Sequence, residues 1–329
     1  MVPVISTRLT ERFDIEVPIV LAPMAKVSGG RLAAAVTGAG GLGLIGGSYC
    51  DADWIEDQFA KAGNARVGCG FITWSLAEAL KVTPDLLDRV LDRRPAAVFL
   101  SFGDPMPFAG RIHAAGVPLI VQVQTLRDAK RAAEAGADVI VAQGAEAGGH
   151  GEKRATMTLV PEIADWLAQN APGILLLAAG GIADGRGLAA ALMLGAEGVV
   201  VGSRLWATRE ALVHPEMLKA AVGATGDETI RTTVMDVARR LDWPDRYSCR
   251  VLKNPFTERW HDDREGLIAA ADTIAPQWTA AWEAGDVTVA NTFVGEATGL
   301  IDEVRPAATV VGAMVDEAEA LLGGGWRRG

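Results

Sequence analysis

The sequence has few of the residues that crosslink small domains or bind metals. Its three cysteines, Cys50, Cys69 and Cys249, lie far apart and form no CxxC pair. An odd number of widely spaced cysteines argues against a disulfide framework. No group of histidines, cysteines and carboxylates has the spacing of metal ligands. We therefore expect reduced, buried thiols, no metal site and a cytoplasmic location.

Basic charge and long apolar runs are also scarce. The formal net charge is −10, and an acidic surface disfavours nucleic acids and anionic membranes as partners. The first residues lack the basic and apolar regions of a signal peptide. The most apolar stretch, 174–183, is much shorter than the roughly 20 residues that span a bilayer. These absences predict a soluble, cytoplasmic protein that binds neither nucleic acids nor membranes.

Short apolar runs alternate with amphipathic segments along the first two thirds of the chain. Runs in which nearly every residue is apolar are typical of parallel strands that are buried on both faces. Eight such runs fall at residues 19–22, 42–45, 67–72, 97–100, 118–123, 139–142, 174–179 and 198–201. The segments between them are rich in helix-forming residues, most clearly at 84–94, 126–135 and 188–194.

A glycine lies a few residues before many of these runs. Such a glycine can adopt the left-handed conformation that ends a helix, as we expect for Gly40, Gly63, Gly116, Gly136 and Gly195. The spacing of about 20 to 25 residues corresponds to one βα unit. About eight units in succession predict a TIM (β/α)8 barrel with its active site at the carboxyl ends of the strands.

A doubly wound nucleotide-binding sheet is the alternative fold. The first predicted βα turn, APMAKVSGG, lacks the GxGxxG pattern of that fold. The glycine cluster at 38–47 runs through a helix end and a strand, which is the wrong context for that pattern.

Residues 214–285 are more polar and richer in tryptophan and turn residues. They predict a smaller helical lid domain between barrel segments 1–213 and 286–329, with a closing helix at 313–322.

Two glycine turns late in the barrel predict a phosphate site. Gly180 and Gly181 follow the seventh predicted strand, and Gly202 and Ser203 follow the eighth. Backbone N–H groups in such turns, beside a helix N-terminus, bind phosphate, and barrels often hold phosphate at these two strand ends. The alternative is a pair of tight turns without a ligand.

The stretch AQGAEAGGHG places a histidine just past the sixth predicted strand. His150 follows Gly148 and Gly149, where the absence of a Cβ allows a ligand to approach the backbone. A neutral imidazole on the same rim as the phosphate site suits a general base. Glu146 is close enough in sequence to orient the imidazole. The alternatives are a hydrogen-bonded loop histidine and a solvated carboxylate.

Further candidate residues follow the first, fifth and sixth strands. Ala22, Pro23 and Met24 can form a wall for a flat aromatic ligand, because proline is rigid and methionine is soft. Gln122 and Gln143 carry amides that can bind the polar edge of a ring, or satisfy backbone groups inside the barrel.

The motifs APM, AGGLG, AQGAEAGGHG, AAGGIADGRG and VGSR resemble, in this order, those of the FMN-dependent nitronate monooxygenases, formerly called 2-nitropropane dioxygenases. The resemblance covers nearly the whole chain and implies a TIM barrel that binds FMN without a covalent link. It places the isoalloxazine ring against Ala22, Pro23, Met24, Gly148 and Gly149. It places the phosphate on Gly180, Gly181, Gly202 and Ser203.

The resemblance also implies a reaction and its partners. His150 corresponds to the family's catalytic histidine, which deprotonates a neutral nitroalkane. The nitronate then passes an electron to FMN, and oxygen reacts with the reduced flavin. The expected partners are a small nitronate or other electron donor and oxygen, and the exposed barrel helices permit a homodimer.

Other activities share most of these motifs. An NAD(P)H-dependent FMN reductase that acts on an enoyl thioester, as enoyl-ACP reductase II does, or on a quinone is the second hypothesis. A barrel that binds a phosphate ligand without redox chemistry is the third.

Two positions depart from the family pattern. Gly70 stands where many members carry an asparagine that touches FMN, and Gln122 stands where some carry a lysine, whose charge would stabilise an anionic reduced flavin.

Overall fold

The structure, a computed structural model that describes residues 5–325, alternates strands and helices along most of the chain. The strands are β1 (Ile19–Leu21), β2 (Leu44–Ser48), β3 (Gly68–Ile72), β4 (Val98–Ser101), β5 (Leu119–Val123), β6 (Val139–Gln143), β7 (Gly149–Gly151), β8 (Leu175–Ala179), β9 (Val199–Val201), β10 (Thr229–Thr232) and β11 (Ser248–Leu252). The helices are α1 (Arg8–Phe13), α2 (Gly30–Gly38), α3 (Ala52–Ala62), α4 (Thr73–Val82), α5 (Leu86–Asp92), α6 (Met106–Ala114), α7 (Leu126–Glu134), α8 (Thr156–Asn170), α9 (Gly185–Met193), α10 (Ser203–Trp206), α11 (Pro215–Val222), α12 (Val234–Ala238), α13 (Pro255–Trp260), α14 (Arg264–Ala269), α15 (Ala271–Ala284) and α16 (Ala307–Ala320).

Eight strands form one parallel sheet in the order β1-β9-β8-β6-β5-β4-β3-β2. A parallel bridge between Val20 and Leu42 brings the two ends of this sheet together as a barrel. Nearly every strand residue is buried, because one face contacts the helices and the other faces the barrel interior. The TIM barrel and all of its predicted strands are therefore confirmed.

The barrel interior is filled by side chains. Val20, Phe99, Val141, Leu177 and Val200 belong to one buried apolar cluster, which is separate from the cluster between strands and helices. A filled interior leaves no channel along the barrel axis. A ligand site must therefore lie at an end of the barrel.

Glycine ends the barrel helices where the sequence predicted it. The φ angle is +86° at Gly40, +62° at Gly63, +69° at Gly116, +81° at Gly136 and +94° at Gly195. Residues with a Cβ rarely adopt these angles. Each glycine allows the chain to leave its helix abruptly and enter the next strand.

The last helix of the barrel ring is α16. It packs against α9 and α2, so it fills the position beside the first helix of the barrel. The predicted closing helix is confirmed, although it begins earlier, directly after Pro306. The sequence also predicted a frayed terminal GGGWRRG, of which 326–329 lie outside the described residues.

Residues 214–285 are mainly helical, as predicted, but they also contain two strands that the sequence did not predict. They include β10 and β11, which pair antiparallel, and β11 also pairs with β7 from the loop after β6. Inner and outer residues partly alternate along β11, as expected for a strand with one covered face. The small sheet holds this segment over the carboxyl ends of the barrel strands. Its status as a separate domain stays a prediction.

Candidate functional site

A cavity of about 350 Å³ opens at the carboxyl ends of the barrel strands. The buried side chains of Phe99 and Val200 form part of its base. All of the predicted site residues line it, namely Ala22, Pro23, Met24, Gln122, Gln143, Gly148, Gly149, His150, Gly180, Gly181, Gly202 and Ser203. The structure thus brings together residues from several strand ends, and what they bind stays a prediction.

A buried serine fixes the loop after β1. The Ser28 hydroxyl donates to the Ala22 carbonyl oxygen at 2.7 Å and accepts from the Met24 N–H at 3.1 Å. Because both ends of the short turn are bonded to one side chain, Pro23 is held in a fixed position at the cavity wall.

Gly70 on β3 lies directly against the Pro23 ring. A Cβ added to Gly70 would lie 2.4 Å from both the Cβ and the Cγ of Pro23, far inside van der Waals contact. The asparagine that many family members carry therefore cannot be accommodated here unless Pro23 moves. The close approach of the ends of β1 and β3 therefore explains why glycine stands at position 70 in place of asparagine.

We expect Gly70→Asn to lower the melting temperature, because overpacking a filled site typically destabilises by about 1–3 kcal/mol. Thermal unfolding followed by circular dichroism measures this effect. Gly38→Asn is the matched control, since nothing lies within 4 Å of a Cβ added there. Equal melting temperatures for the two variants would contradict the predicted clash with Pro23.

His150 lies on β7 beside a buried carboxylate. Its Nε2 is 3.0 Å from both carboxylate oxygens of Asp236 on α12, and the two side chains are only 8% and 4% exposed. In a neutral imidazole, Nε2–H donates to Asp236 and Nδ1 is left as an acceptor. Nδ1 makes no hydrogen bond with any residue in the described range. His150 lines the cavity, and Nδ1 is its unused acceptor within the described residues.

Aromatic rings hold the imidazole in its plane. Trp243 stacks face to face on His150, with ring centroids 3.4 Å apart and an interplanar angle of 6°. The Trp243 Nε1–H donates to the Tyr49 hydroxyl at 3.1 Å, and the Phe102 ring contacts the imidazole by its edge. The direction of Nδ1 is therefore fixed before a substrate binds.

The surroundings of His150 favour its neutral form. Burial lowers the pKa of His150 below its ordinary value, because desolvation disfavours the imidazolium ion. The Asp236 carboxylate acts in the opposite direction, while Arg239 and Arg231 add to the lowering of this pKa. The surroundings thus favour the neutral imidazole, which is the state that a general base requires.

The two candidate glutamines have different surroundings. The Gln143 Nε2 donates to the His150 carbonyl oxygen at 3.2 Å, and its Oε1 accepts from Gln124 Nε2 at 2.8 Å. Of the two roles expected for Gln143, satisfying a backbone group is the one observed. The Gln122 side chain makes no hydrogen bond to a described residue and lines the cavity, so its amide is available to a ligand.

Glu146 does not orient His150, and that expectation was wrong. Its carboxylate accepts from the Thr156 N–H at 3.0 Å and from the Thr156 hydroxyl at 2.8 Å. Thr156 is the first residue of α8, and a carboxylate there satisfies free N–H groups and the helix dipole. Glu146 thus caps a helix, and Asp236 is the partner of the imidazole.

The two glycine turns keep several backbone donors unused. None of the N–H groups of Gly180, Gly181, Gly202 and Ser203 donates to an acceptor in the described part of the chain. The φ angles of Gly180 and Gly181 are +100° and +76°, which residues with side chains rarely adopt. Consecutive free N–H groups beside a cavity can bind an anion.

The N-terminus of α9, by contrast, is already satisfied. The Gly187 N–H donates to Asp184 at 3.1 Å, and the Gly185 N–H donates to Glu317 at 2.8 Å. The predicted phosphate site is therefore limited to the turn after β8 and to the start of α10, whose first residue is Ser203.

Gly148 and Gly149 differ in what surrounds them. A Cβ on Gly148 would lie 2.5 Å from the Val294 carbonyl carbon and 2.6 Å from the Gly295 nitrogen. Gly149 has a φ angle of +72° and nothing within 4 Å of an added Cβ. Gly148 therefore allows two backbone segments to pack closely, while Gly149 leaves open space in the cavity that a ligand can use.

Sequence reasoning missed three cavity-region residues, Asp236, Arg239 and Trp243. All come from 214–285, for which the sequence predicted no site residue. A signal was present for Asp236, since it stands in the apolar run VMDVA and a buried carboxylate needs a partner.

Within the described residues, no group of histidines, cysteines and carboxylates is placed to hold a metal. No helix among residues 5–325 is long and apolar enough to cross a membrane.

The fold and the site define a (β/α)8-barrel enzyme with a buried imidazole and free backbone donors at the carboxyl ends of its strands. The chain belongs to the nitronate monooxygenase family of oxidoreductases, whose family model matches residues 6–66 and 74–317. Members of this family are flavoproteins.

Individual relatives agree with this assignment. The nitronate monooxygenase npaC of Metarhizium robertsii is 36% identical, over 92% of this chain and 91% of the relative. The structure of FabK from Thermotoga maritima superposes with a TM-score of 0.83 at 29% identity, covering 97% of both chains. The nitroalkane oxidase from Streptomyces ansochromogenes gives a TM-score of 0.79 at 25% identity, covering 95% of this chain and 99% of the other.

Proposed function

We propose that this protein binds FMN in the barrel cavity and oxidises alkyl nitronates with molecular oxygen, with His150 as general base toward neutral nitroalkanes. The observation that carries this proposal is the buried pair of His150 and Asp236 at the cavity, which leaves Nδ1 without a hydrogen-bond partner among the described residues. When bound, FMN supplies the electron acceptor for the nitronate and the site of reaction with oxygen.

The residues around the cavity suit this cofactor. The free N–H groups of the two glycine turns offer donors to a phosphate without a metal. Pro23 and Met24 present an apolar wall to a flat ring, Gln122 offers an amide to its polar edge, and the open space at Gly149 leaves room for it. Together these features support a flavin mononucleotide as the ligand.

The chain's own contribution to the reaction is a proton transfer. Nδ1 of His150 takes a proton from the carbon next to the nitro group, and the electron pair of that C–H bond moves onto the nitro oxygens. The Asp236 carboxylate stabilises the imidazolium ion that results. Trp243 holds the ring, so no reorientation is needed during the transfer.

The pH dependence should report this base. Because burial lowers the pKa of His150, kcat/KM for a neutral nitroalkane should be at its maximum at neutral pH. It should fall only as the pH drops below the ordinary range of histidine pKa values. Asp236→Asn removes a carboxylate that raises this pKa, so its acidic limb should move to lower pH. Initial rates of oxygen consumption across pH measure both profiles. An unchanged limb in Asp236→Asn would argue that another group titrates.

An anaerobic experiment tests the proposed function. Flavin-loaded protein is mixed with an alkyl nitronate or with NADH, and bleaching of the visible flavin band is followed. We expect the nitronate alone to bleach the flavin and oxygen to restore it. Rapid bleaching by NADH, with none by nitronate, would overturn the proposal.

A second candidate function is an NAD(P)H-dependent reductase of an enoyl thioester or quinone. The superposition on FabK, an enoyl-ACP reductase II, supports it. The same experiment separates the two functions, because a reductase would be bleached by NADH and reoxidised anaerobically by the enoyl thioester or quinone.

A further inference from the structure

One charged side chain at the cavity has neither an ion-pair nor a hydrogen-bond partner among the described residues. The formally charged residues that line the cavity are Lys26, Glu146 and Arg239. Lys26 pairs with Asp51 at 2.7 Å, and Glu146 caps α8 as described above. Arg239 forms neither a side-chain hydrogen bond nor an ion pair within residues 5–325. Its positive charge is therefore available to a ligand.

Aromatic rings surround the Arg239 guanidinium. Its Cζ lies 5.4 Å from the ring centroid of Tyr49, 5.5 Å from that of Trp278 and 5.9 Å from that of Phe293. The three rings also line the cavity, and Trp282 stacks on Trp278 with an interplanar angle of 12°. Aromatic faces orient a guanidinium without neutralising its charge. We call Arg239 and these four aromatic residues the arginine cage.

The residues around Arg239, which directly follows α12, explain why it stays unpaired. Asp236 is three residues earlier, but both of its oxygens face Nε2 of His150. The next residue, Arg240, pairs with Asp272 at the surface. The end of α12 thus supplies a paired carboxylate to the base and an unpaired cation to the same cavity.

We propose that the arginine cage is a subsite for a planar oxyanion carried on a flat apolar body. A guanidinium presents parallel N–H donors that match two coplanar oxygens, and aromatic rings stack on a flat apolar group. The oxyanion is either the reacting nitronate or a separate carboxylate of the substrate. The inference deepens the proposed function and rests on it for the reaction, while the anion preference can be measured without turnover.

Benzoate and its neutral isostere benzamide are suitable probes. Titration calorimetry on the protein as purified should show tighter binding of benzoate than of benzamide. Arg239→Gln should weaken benzoate binding about tenfold or more, as expected for losing a charged hydrogen bond, and leave benzamide binding unchanged. Arg239→Lys should bind benzoate with an intermediate affinity, because lysine keeps the charge but lacks the planar pair of N–H donors. Arg240→Gln, at the neighbouring surface position, should bind both probes as the parent does.

Inhibition kinetics then separate the two sources of the oxyanion. Benzoate that competes with an alkyl nitronate indicates that the reacting group itself binds Arg239, whereas noncompetitive inhibition indicates a separate carboxylate. Equal binding of benzoate and benzamide by the parent, or unchanged benzoate binding in a folded Arg239→Gln, would overturn the subsite. Arg239-dependent benzoate binding without nitronate oxidation would sink the proposed function and leave the subsite standing.

Discussion

Replacing His150 by asparagine should reduce kcat/KM for a neutral nitroalkane by about 10²–10⁴-fold, the usual contribution of a general base. Oxidation of a preformed nitronate should change much less, because that substrate has already lost its proton. Asparagine removes the free Nδ1 acceptor and leaves the glycine turns in place. Oxygen consumption is measured side by side with the nitroalkane and its nitronate. The ratio of the two losses of activity shows whether His150 acts in proton abstraction.

Two further variants sharpen this test. Asp236→Asn should show the same selective loss, because an amide can donate to Nε2 and leave the proton on Nδ1, as in the serine-protease dyad. His113→Asn is the control, since His113 is a half-exposed residue on α6 outside the cavity lining. Equal losses on nitroalkane and nitronate in His150→Asn would count against proton abstraction.

Gly181→Val should expel the flavin. The φ angle of Gly181 is +76°, where a residue with a Cβ is strained by about 1–2 kcal/mol. The new Cβ would also lie 3.3 Å from the Glu146 Cβ, and its methyl groups would occupy space beside the free N–H groups. The ratio of visible flavin absorbance to protein absorbance after reconstitution with FMN measures the loss.

A matched glycine separates lost binding from lost stability. Gly116 has a φ angle of +69° and nothing within 4 Å of an added Cβ, and it lies outside the cavity lining. Gly116→Val should therefore lower the melting temperature by a comparable amount and retain full flavin content. Full flavin content in Gly181→Val would remove the phosphate assignment.

Local sequence patterns are sufficient to predict the barrel. Its strands are buried on both faces, so each is a continuous apolar run, and glycines such as Gly40 and Gly195 mark helix ends that need a positive φ angle. The position of the cavity follows from the fold, because the carboxyl ends of all barrel strands meet at one rim. That rule brought Pro23, Gln122 and Gly181 to one place. A homodimer stays a prediction.

The partner of the base could not be predicted in this way. Asp236 lies 86 positions after His150, and the two meet only because β7 and β11 pair across the rim. No local periodicity encodes that pairing, since β7 is a short glycine-rich segment. Sequence proximity instead suggested Glu146, whose carboxylate is bonded to the start of α8. The contact between Gly70 and Pro23 is equally a product of three-dimensional approach.

The pairing of β7 with β11 has a consequence for protein engineering. The floor of the cavity belongs to the barrel, whereas Asp236, Arg239 and Trp243 all lie in the stretch from β10 to β11. A chimera that exchanges this stretch between family members would transfer the partner of the base, its stacking ring and the unpaired cation together. Substrate preference could then diverge among descendants of one ancestor without any change in the barrel floor. A chimera whose exchange boundary falls between α12 and β11 should fold as a barrel in which the His150 imidazole is misaligned.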